Sequence, residues 1–228
     1  ELLKGLWFYY AGVYNGLPLD DRNALEQVLA ERPHAAPPRD QYVFYPDCSD
    51  VPESAGPQIP GRSYKIAAGV NLGDGDVEGV VWAAGGVPGG HALYVLDGRL
   101  RYTFNWVGTV LQDVTSDVEL GAGDHVLVAE FDAEGPSDDA AMPGTRGTLS
   151  LYVDDQLVGS DTIVTQPGNF CLTGDGICVG RDSASAVSPN YRAPFSFTGG
   201  TIDKVVVDVS GEPYVDHEAK VRTWFSLD

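Results

Sequence analysis

The alternation of apolar and polar residues is clearest in residues 148–164, TLSLYVDDQLVGSDTIV. Leu149, Leu151 and Val153 alternate with more polar side chains, and this period of two predicts a half-buried strand. Polar residues 154–156 interrupt the pattern, and a second apolar run reaches Ile163. The stretch therefore predicts a β-hairpin. Because a lone hairpin buries only one face, it requires a second sheet to pack against.

Short strands are also predicted along most of the remaining chain. Asp97-Gly98 is a strong signal for a type I′ turn between two of them. No alternation of strands and helices is found, so the pattern predicts a mainly β fold, an antiparallel two-sheet jelly-roll sandwich. The further predicted strands cover residues 41–45, 62–72, 78–84, 91–96, 99–105, 110–118, 124–132, 177–180 and 201–209. The side chains predicted to face the core in two of these strands are Tyr64, Ile66, Ala68 and Val70, and Ile202, Val205, Val207 and Val209.

Helical spacing of apolar residues is confined to the two ends of the chain. It predicts an N-terminal helical segment, with one helix over residues 1–11 and a second over residues 23–31. A short C-terminal helix is predicted over residues 214–225. The apolar stripe of the first helix consists of Leu2, Leu3, Leu6, Trp7 and Tyr10.

The charge balance excludes several kinds of partner. The chain has 33 acidic and 14 basic residues among 228, a formal net charge of −19. Nucleic acids and anionic membranes are bound through positively charged surfaces, so neither is predicted as a partner. No apolar run approaches the roughly 20 residues of a membrane-spanning helix. The chain begins at Glu1 and contains one methionine, so we expect a fragment or a processing product.

The three cysteines do not suggest a disulfide framework. Cys171 and Cys178 flank a predicted turn, and two interpretations remain open: a disulfide across the turn, or two reduced buried thiols, which we favour. The acidic residues of 73–78 (GDGDVE) have the spacing of a turn-bound calcium site but lack a full ligand loop. A solvated turn is favoured there, and no metal site is predicted in this chain.

Two groups of motifs resemble large bacterial arylsulfatases. Residues 1–22, ELLKGLWFYYAGVYNGLPLDDR, resemble the segment that closes the catalytic domain of these enzymes. Six downstream motifs resemble their C-terminal region: GRSYKI (61–66), GGHALYVLDGRLRYTFNWVG (89–108), LYVDDQLVG (151–159), TQPGNF (165–170), VGRDS (179–183) and FTGGTI (197–202).

The resemblance implies a non-catalytic accessory domain, concanavalin-A-like or laminin-G-like, at residues 41–228. Residues 1–40 would be the tail of a sulfatase catalytic domain plus a linker. The absent catalytic domain of the same gene product would be the partner, and Leu2, Leu3, Leu6, Trp7 and Tyr10 would dock on it. Such a parent enzyme would need calcium and formylglycine. None of the three cysteines stands in the Cys/Ser-x-Pro-x-Arg motif that yields formylglycine, so we expect this chain alone to be inactive.

A glycoside hydrolase is one alternative function. Glu130, Asp132 and Glu134 alternate in a predicted strand, so their carboxylates share a face. The pattern resembles the catalytic strand of jelly-roll β-glucanases, and retaining hydrolysis needs two carboxyl groups about 5–5.5 Å apart. The other interpretation of residues 130–134 is a strand that ends in an acidic loop, and we favour it.

A carbohydrate-binding, lectin-like module is the other alternative. Tyr94 and Trp106, with Trp82 and Tyr102, fall on neighbouring predicted strands, where exposed rings would stack on sugars and buried rings would fill the core. His91 would orient a sugar hydroxyl. Arg181 begins the Arg-Asp-Ser sequence 181–183, for which we favour an ion pair that fixes a loop. The alternatives are a ligand contact or, as the resemblance implies, docking of the sandwich on the catalytic domain.

Overall fold

The computed structural model describes residues 2–17, 36–168, 176–183 and 185–211. The chain divides into two compact units, Glu1–Glu31 and Arg32–Asp228. The predicted helices over residues 23–31 and 214–225 lie outside the described residues. The elements of the described residues are helix α1 (Leu2–Val13), a 3-10 turn (Glu53–Ala55), and strands β1 (Gln41–Phe44), β2 (Tyr64–Leu72), β3 (Gly79–Gly86), β4 (Gly89–Leu96), β5 (Arg99–Trp106), β6 (Val110–Thr115), β7 (Gly123–Pro136), β8 (Thr145–Val153), β9 (Gln156–Thr165), β10 (Ile177–Val179) and β11 (Gly200–Asp208).

Helix α1 of the first unit confirms the predicted N-terminal helix and extends it to Val13. None of its residues is buried. The predicted stripe is only part of its apolar surface, because Phe8, Tyr9 and Val13 are also more than half exposed. Helix α1 is therefore apolar on all sides. Within the described residues, no helix has the length and apolar character needed to cross a membrane.

The second unit is a sandwich of two antiparallel sheets, which confirms the predicted fold class. The six-stranded sheet has the order β1-β11-β2-β7-β8-β9, and the five-stranded sheet has the order β10-β3-β4-β5-β6. Two of the hairpins are closed by turns in which both central residues have positive φ: Asp97 and Gly98 between β4 and β5, and Asp154 and Asp155 between β8 and β9. The first pair is the predicted type I′ turn.

The core lies between the two sheets and follows the predicted alternation. Strand β2 buries every second residue from Tyr64 to Leu72. A bulge between Ile202 and Lys204 shifts the register of β11, so the buried positions continue at Val205 and Val207. The largest fully buried side chains of this core include Trp82, Tyr102, Phe104 and Phe131.

Strands β3 and β4 of the five-stranded sheet are covered on both faces. All eight residues of β3 are buried, because residues 181–197, here called the strap, lie over its outer face. Residue 184 of the strap is outside the described residues. Val187 and Tyr191 pack there against Val80, Ala92 and Tyr94. The outer face of this sheet is therefore a second, smaller core.

A side-chain amide occupies part of the free edge of the six-stranded sheet. The Gln112 Nε2 donates to the carbonyl of Val164 (2.9 Å), and its Oε1 accepts from the Val164 N–H (2.7 Å). Gln112 thus pairs with edge strand β9 as a neighbouring backbone residue would.

Candidate functional site

His91, which was predicted to orient a sugar hydroxyl, is a core residue. It is 2 % exposed and surrounded by the rings of Tyr64, Trp82, Tyr102 and Phe104. Its Nδ1 lies 3.0 Å from the Tyr102 hydroxyl, which in turn lies 2.5 Å from the Tyr64 hydroxyl. Burial lowers the pKa of His91 to about 3, so the ring is neutral at physiological pH. This network fixes the interior of the sandwich and offers no surface to a ligand.

The two predicted sugar-stacking rings, Tyr94 and Trp106, are buried as well. Trp106 is 3 % exposed and belongs to the core between the sheets. Tyr94 is fully buried beneath the strap, where Asn190 Nδ2 donates to its hydroxyl at 3.0 Å and Tyr191 contacts its ring edge-on. Trp106 is buried because it points between the sheets, and Tyr94 is buried because the strap covers the outer face that an open sandwich would leave to solvent.

The three carboxylates of the proposed glycosidase strand lie on the solvent side of β7, as the alternation predicted. Glu130 pairs with the Lys65 Nζ at 2.8 Å. Glu134 accepts from the Arg146 Nη1 (2.7 Å) and from the Thr148 hydroxyl (2.8 Å). A glycosidase needs one carboxyl group that delivers a proton and another that is free to attack. Two carboxylates already engaged by cations do not provide that arrangement.

Arg181 lines a cleft at the edge of the sandwich, here called the Arg181 cleft. Its volume is about 330 Å³. The polar residues of its wall are Arg181, Asp47, Ser196 and Thr201, and its bulkier apolar residues are Pro46, Val179, Phe197 and Ile202. Of the four residues that were predicted to bind a ligand, only Arg181 reaches a surface, and it does so at this cleft.

A chain of polar contacts fixes the position of Arg181. Its Nη2 donates to the Asp50 carboxylate (2.7 Å) and to the Cys48 carbonyl (3.1 Å). The Ser183 hydroxyl donates to the other oxygen of Asp50 and lies 3.2 Å from the Cys178 Sγ. The hydroxyl of Ser183, with a smaller contribution from Arg181, lowers the pKa of Asp50, so its carboxylate stays ionised. Arg181 thus forms an ion pair, and its partner is Asp50, while its contact with a ligand stays a prediction.

The base of the strap forms one wall of the Arg181 cleft. Gly180 and Phe197 are joined by a hydrogen bond from the Phe197 N–H to the Gly180 carbonyl (2.8 Å). Next to them, the buried Asp182 accepts from the Tyr191 hydroxyl at 2.6 Å and from the Val187 N–H at 3.0 Å. The same loop therefore covers the five-stranded sheet and holds Arg181 at the cleft.

Metal and thiol chemistry have few candidates in the part of the chain that the structure describes. No group of three or more His, Cys, Asp and Glu side chains is placed there to hold a metal ion. Cys178 is a free, buried thiol whose pKa is raised by burial. Cys171 lies outside the described residues, so the alternatives for this pair stay predictions.

Sequence patterns did not single out Asp47, Asp50 or Phe197. Asp50 is 131 residues from Arg181 in sequence, so periodicity carries no sign of the pair. The sequence did carry a signal for Asp47, because Pro-Asp is typical of a turn. In the structure Asp47 has a φ of 61°, in the left-handed region.

Comparisons with known proteins find similarity at the level of fold. No protein-family model matches the chain, and no relative is found among curated proteins. Similar solved structures include "Ruminococcus gnavus IT-sialidase CBM40 bound to alpha2,3 sialyllactose", with 14% identity, TM-score 0.45, and 72% of this chain and 84% of that chain covered. Domains LG4-5 of the mouse laminin alpha1 chain match with 14% identity and a TM-score of 0.43, and the match covers 88% of this chain and 48% of that chain. The LG1-3 region of the laminin alpha2 chain matches with 12% identity and a TM-score of 0.46, and the match covers 80% of this chain and 33% of that chain. The arylsulfatase resemblance stays a prediction, and what the chain binds has to be argued from its own residues.

Proposed function

We propose that this chain is a non-catalytic β-sandwich module that binds a neutral carbohydrate in the Arg181 cleft. The observation that carries the proposal is the wall of the cleft, where a guanidinium group, a carboxylate, two hydroxyls and an aromatic ring surround about 330 Å³. Ligand pockets usually enclose roughly 300–1,000 Å³, with a few polar groups set among apolar ones. The small volume suits a sugar ring at the end of a glycan.

Arg181 is the residue that we expect to orient this ligand. Asp50 and the Cys48 carbonyl both hold its Nη2, while its Nε and Nη1 form no hydrogen bond to another described residue. A guanidinium group carries its N–H donors in one rigid plane. Because one side of that plane is fixed by the protein, the remaining donors are preorganised for neighbouring hydroxyls of a sugar.

The charge of the cleft favours a neutral ligand. The Arg181 charge is balanced by Asp50, and Asp47 adds a second carboxylate to the wall. The net charge of −19 repels anions over longer distances. A neutral sugar is repelled neither by the Asp47 carboxylate nor by the net charge of the chain. Its hydroxyls would donate to Asp47 and accept from Arg181, while Phe197 would pack on its C–H groups.

The proposal is tested by screening the chain against an array of neutral and acidic glycans and measuring the best ligand by calorimetry. Loss of a hydrogen bond to a charged group costs about 1.5–3 kcal/mol, so Arg181→Ala should weaken binding by roughly tenfold to a hundredfold. Arg192→Ala, an exposed arginine on the same strap, is the matched control and should bind as the wild type does. Thermal melts check that both variants fold. Wild type that binds no neutral glycan, or an Arg181→Ala variant that binds normally, would refute the proposal.

An accessory role in a larger sulfatase is the second candidate, and helix α1 favours it. Leu3, Phe8 and Tyr9 are all more than half exposed, and at about 100° per residue they point to three different sides of the helix. A helix that is apolar all round belongs in the interior of a folded unit rather than on a surface. The arylsulfatase resemblance of residues 1–22 suggests a catalytic domain as that unit.

Self-association of the isolated chain tests this second candidate. If α1 seeks an apolar environment, then Trp7→Asp should raise the monomer fraction in size-exclusion chromatography. Lys4→Glu changes the charge of the same helix without removing apolar surface, and it serves as the control. Equal monomer fractions for wild type and Trp7→Asp would count against a docking role for α1.

A further inference from the structure

A row of six polar residues crosses the outer face of the six-stranded sheet, and all of them except the buried Ser150 are at least partly exposed. Each strand contributes one residue, and each is paired in register with the next: Gln41, Asp208, Lys65, Glu130, Ser150 and Ser160. Side-chain contacts connect most of them, at 2.7 Å from Gln41 to Asp208, 2.8 Å from Lys65 to Glu130 and 3.2 Å between the two serines. The row, here called the polar row, is thus fixed in place before any ligand arrives.

A second row on the same face is apolar, and it lies two residues from the polar row along each strand, or three along β9, where the register shifts. It consists of Val43, Val206, Ala67, Val128, Tyr152 and Leu157, again one residue from each strand. Val43 is 50 % exposed and Leu157 is 60 % exposed. The solvent face of a sandwich sheet is normally polar. This apolar row is therefore an exception that folding alone does not require.

The polar row keeps donors and acceptors for a ligand. The Lys65 Nζ has three N–H donors, of which one is used by Glu130. At this place a cleft of about 320 Å³ opens, lined by Ser63, Lys65, Glu130, Asp132, Asp208 and Ser210. Strands are about 4.8 Å apart, so the two rows extend side by side for roughly 24 Å.

The size and charge of this surface favour a neutral sugar chain over a protein partner or an anionic polymer. The apolar row covers only roughly 160 Å², whereas a stable protein interface buries about 800 Å² on each partner. The polar row carries two carboxylates against one ammonium group, with Asp132 beside it, so an anionic polymer would be repelled. A chain of neutral sugars has alternating hydroxyl edges and apolar C–H faces and needs no large dry interface.

We infer that the two rows form a binding surface for a neutral polysaccharide, which lies across the strands of the six-stranded sheet. Its C–H faces pack on the apolar row, with Tyr152 as the aromatic centre. Its hydroxyls form hydrogen bonds with Lys65, Glu130 and Ser160 of the polar row. The surface uses none of the residues of the Arg181 cleft, so it is a second site for a longer ligand.

Native affinity gels provide the test. The full chain is run through gels that contain a mixed-linkage β-glucan, xylan, galactomannan or soluble starch, and through a gel with anionic polygalacturonate. We expect at least one neutral polymer to retard the wild type. Tyr152→Ala and Leu157→Ser should each weaken the interaction at least about fivefold, through lost apolar packing. Leu157 is largely exposed, so its substitution tests the surface without endangering the fold.

Two control variants separate this site from others. Arg181→Ala should be retarded as strongly as the wild type, and so should Tyr14→Ala, which removes an exposed tyrosine from the first unit. The inference would be overturned if no neutral polymer slowed the wild type. It would also be overturned if Tyr152→Ala and Leu157→Ser were retarded as strongly as the wild type. Retardation abolished by Arg181→Ala alone would also overturn it, while it would support the proposed function of the Arg181 cleft.

Discussion

Replacement of Asp182 by alanine should release the strap from the five-stranded sheet. The Asp182 carboxylate is 2 % exposed and accepts hydrogen bonds from the Tyr191 hydroxyl and the Val187 N–H. Each buried donor left without an acceptor costs roughly 1–3 kcal/mol. The variant should therefore lose about 2–6 kcal/mol of unfolding free energy, which lowers Tm by roughly 5–20 °C in a domain of this size.

A double-mutant cycle isolates the contact between Asp182 and Tyr191. Tyr191→Phe removes the hydroxyl that donates to Asp182 at 2.6 Å and retains the ring. We expect a coupling energy of about 1.5–3 kcal/mol from urea unfolding of the two single variants and the double variant. Asp203→Ala, an exposed aspartate on β11, is the control and should stay within about 0.5 kcal/mol of the wild type.

Hydrogen exchange shows where the loss occurs. Amides of residues 185–195 should exchange faster in Asp182→Ala, while those of β7 and β8 keep their protection. Because Arg181 is next in sequence, binding in the Arg181 cleft should weaken as well. Two results would refute the reasoning: additive effects of the Asp182 and Tyr191 substitutions, or unchanged exchange in the strap.

Three further predictions concern the sandwich itself. Tyr102→Phe leaves the buried Tyr64 hydroxyl without its 2.5 Å partner and should cost about 1–3 kcal/mol in urea unfolding; no loss would show that the hydroxyl pair is dispensable. The pKa of Asp154 is lowered, chiefly by the hydrogen bond from the Val126 N–H, so its contribution to stability is present above about pH 4 and is lost as pH falls through the folded-state value. Asp154→Asn should therefore be less stable at pH 7, and its Tm should fall less than that of the wild type as the pH is lowered from about 7 to about 2. Parallel curves of Tm against pH for the two proteins would contradict this. Gly147→Ala would place a methyl group against the ring of Phe131 and the neighbouring backbone, and should lower stability by about 1–3 kcal/mol; a Tm equal to that of the wild type would show that the site relaxes freely.

The positions of the strands along the chain and their buried faces could be predicted from sequence because both depend on local patterns. Alternation in residues 64–72 specifies which side chains of β2 are buried, whatever their partners. Asp97-Gly98 specifies its turn through two positive φ angles. The turn at Asp154 and Asp155 has the same geometry without glycine, so composition indicated only a polar break there.

The covering of the five-stranded sheet could not be predicted in the same way. Residues 181–197 have no periodicity, and the contact of Tyr191 with Tyr94 joins positions about a hundred residues apart. Alternation distinguishes the two faces of a strand but does not tell whether the second face is also covered. The continuous apolar run of β3 was the available sign, since strands buried on both faces lose their alternation.

The pairing of Gln112 with Val164 has a consequence for the behaviour of the protein at high concentration. Exposed sheet edges recruit strands from other molecules, which is a common route to aggregation and fibril growth. At Val164 both backbone groups are already engaged by one amide side chain. Gln112 thereby acts as a gatekeeper that prevents a second molecule from adding a strand at this point of β9.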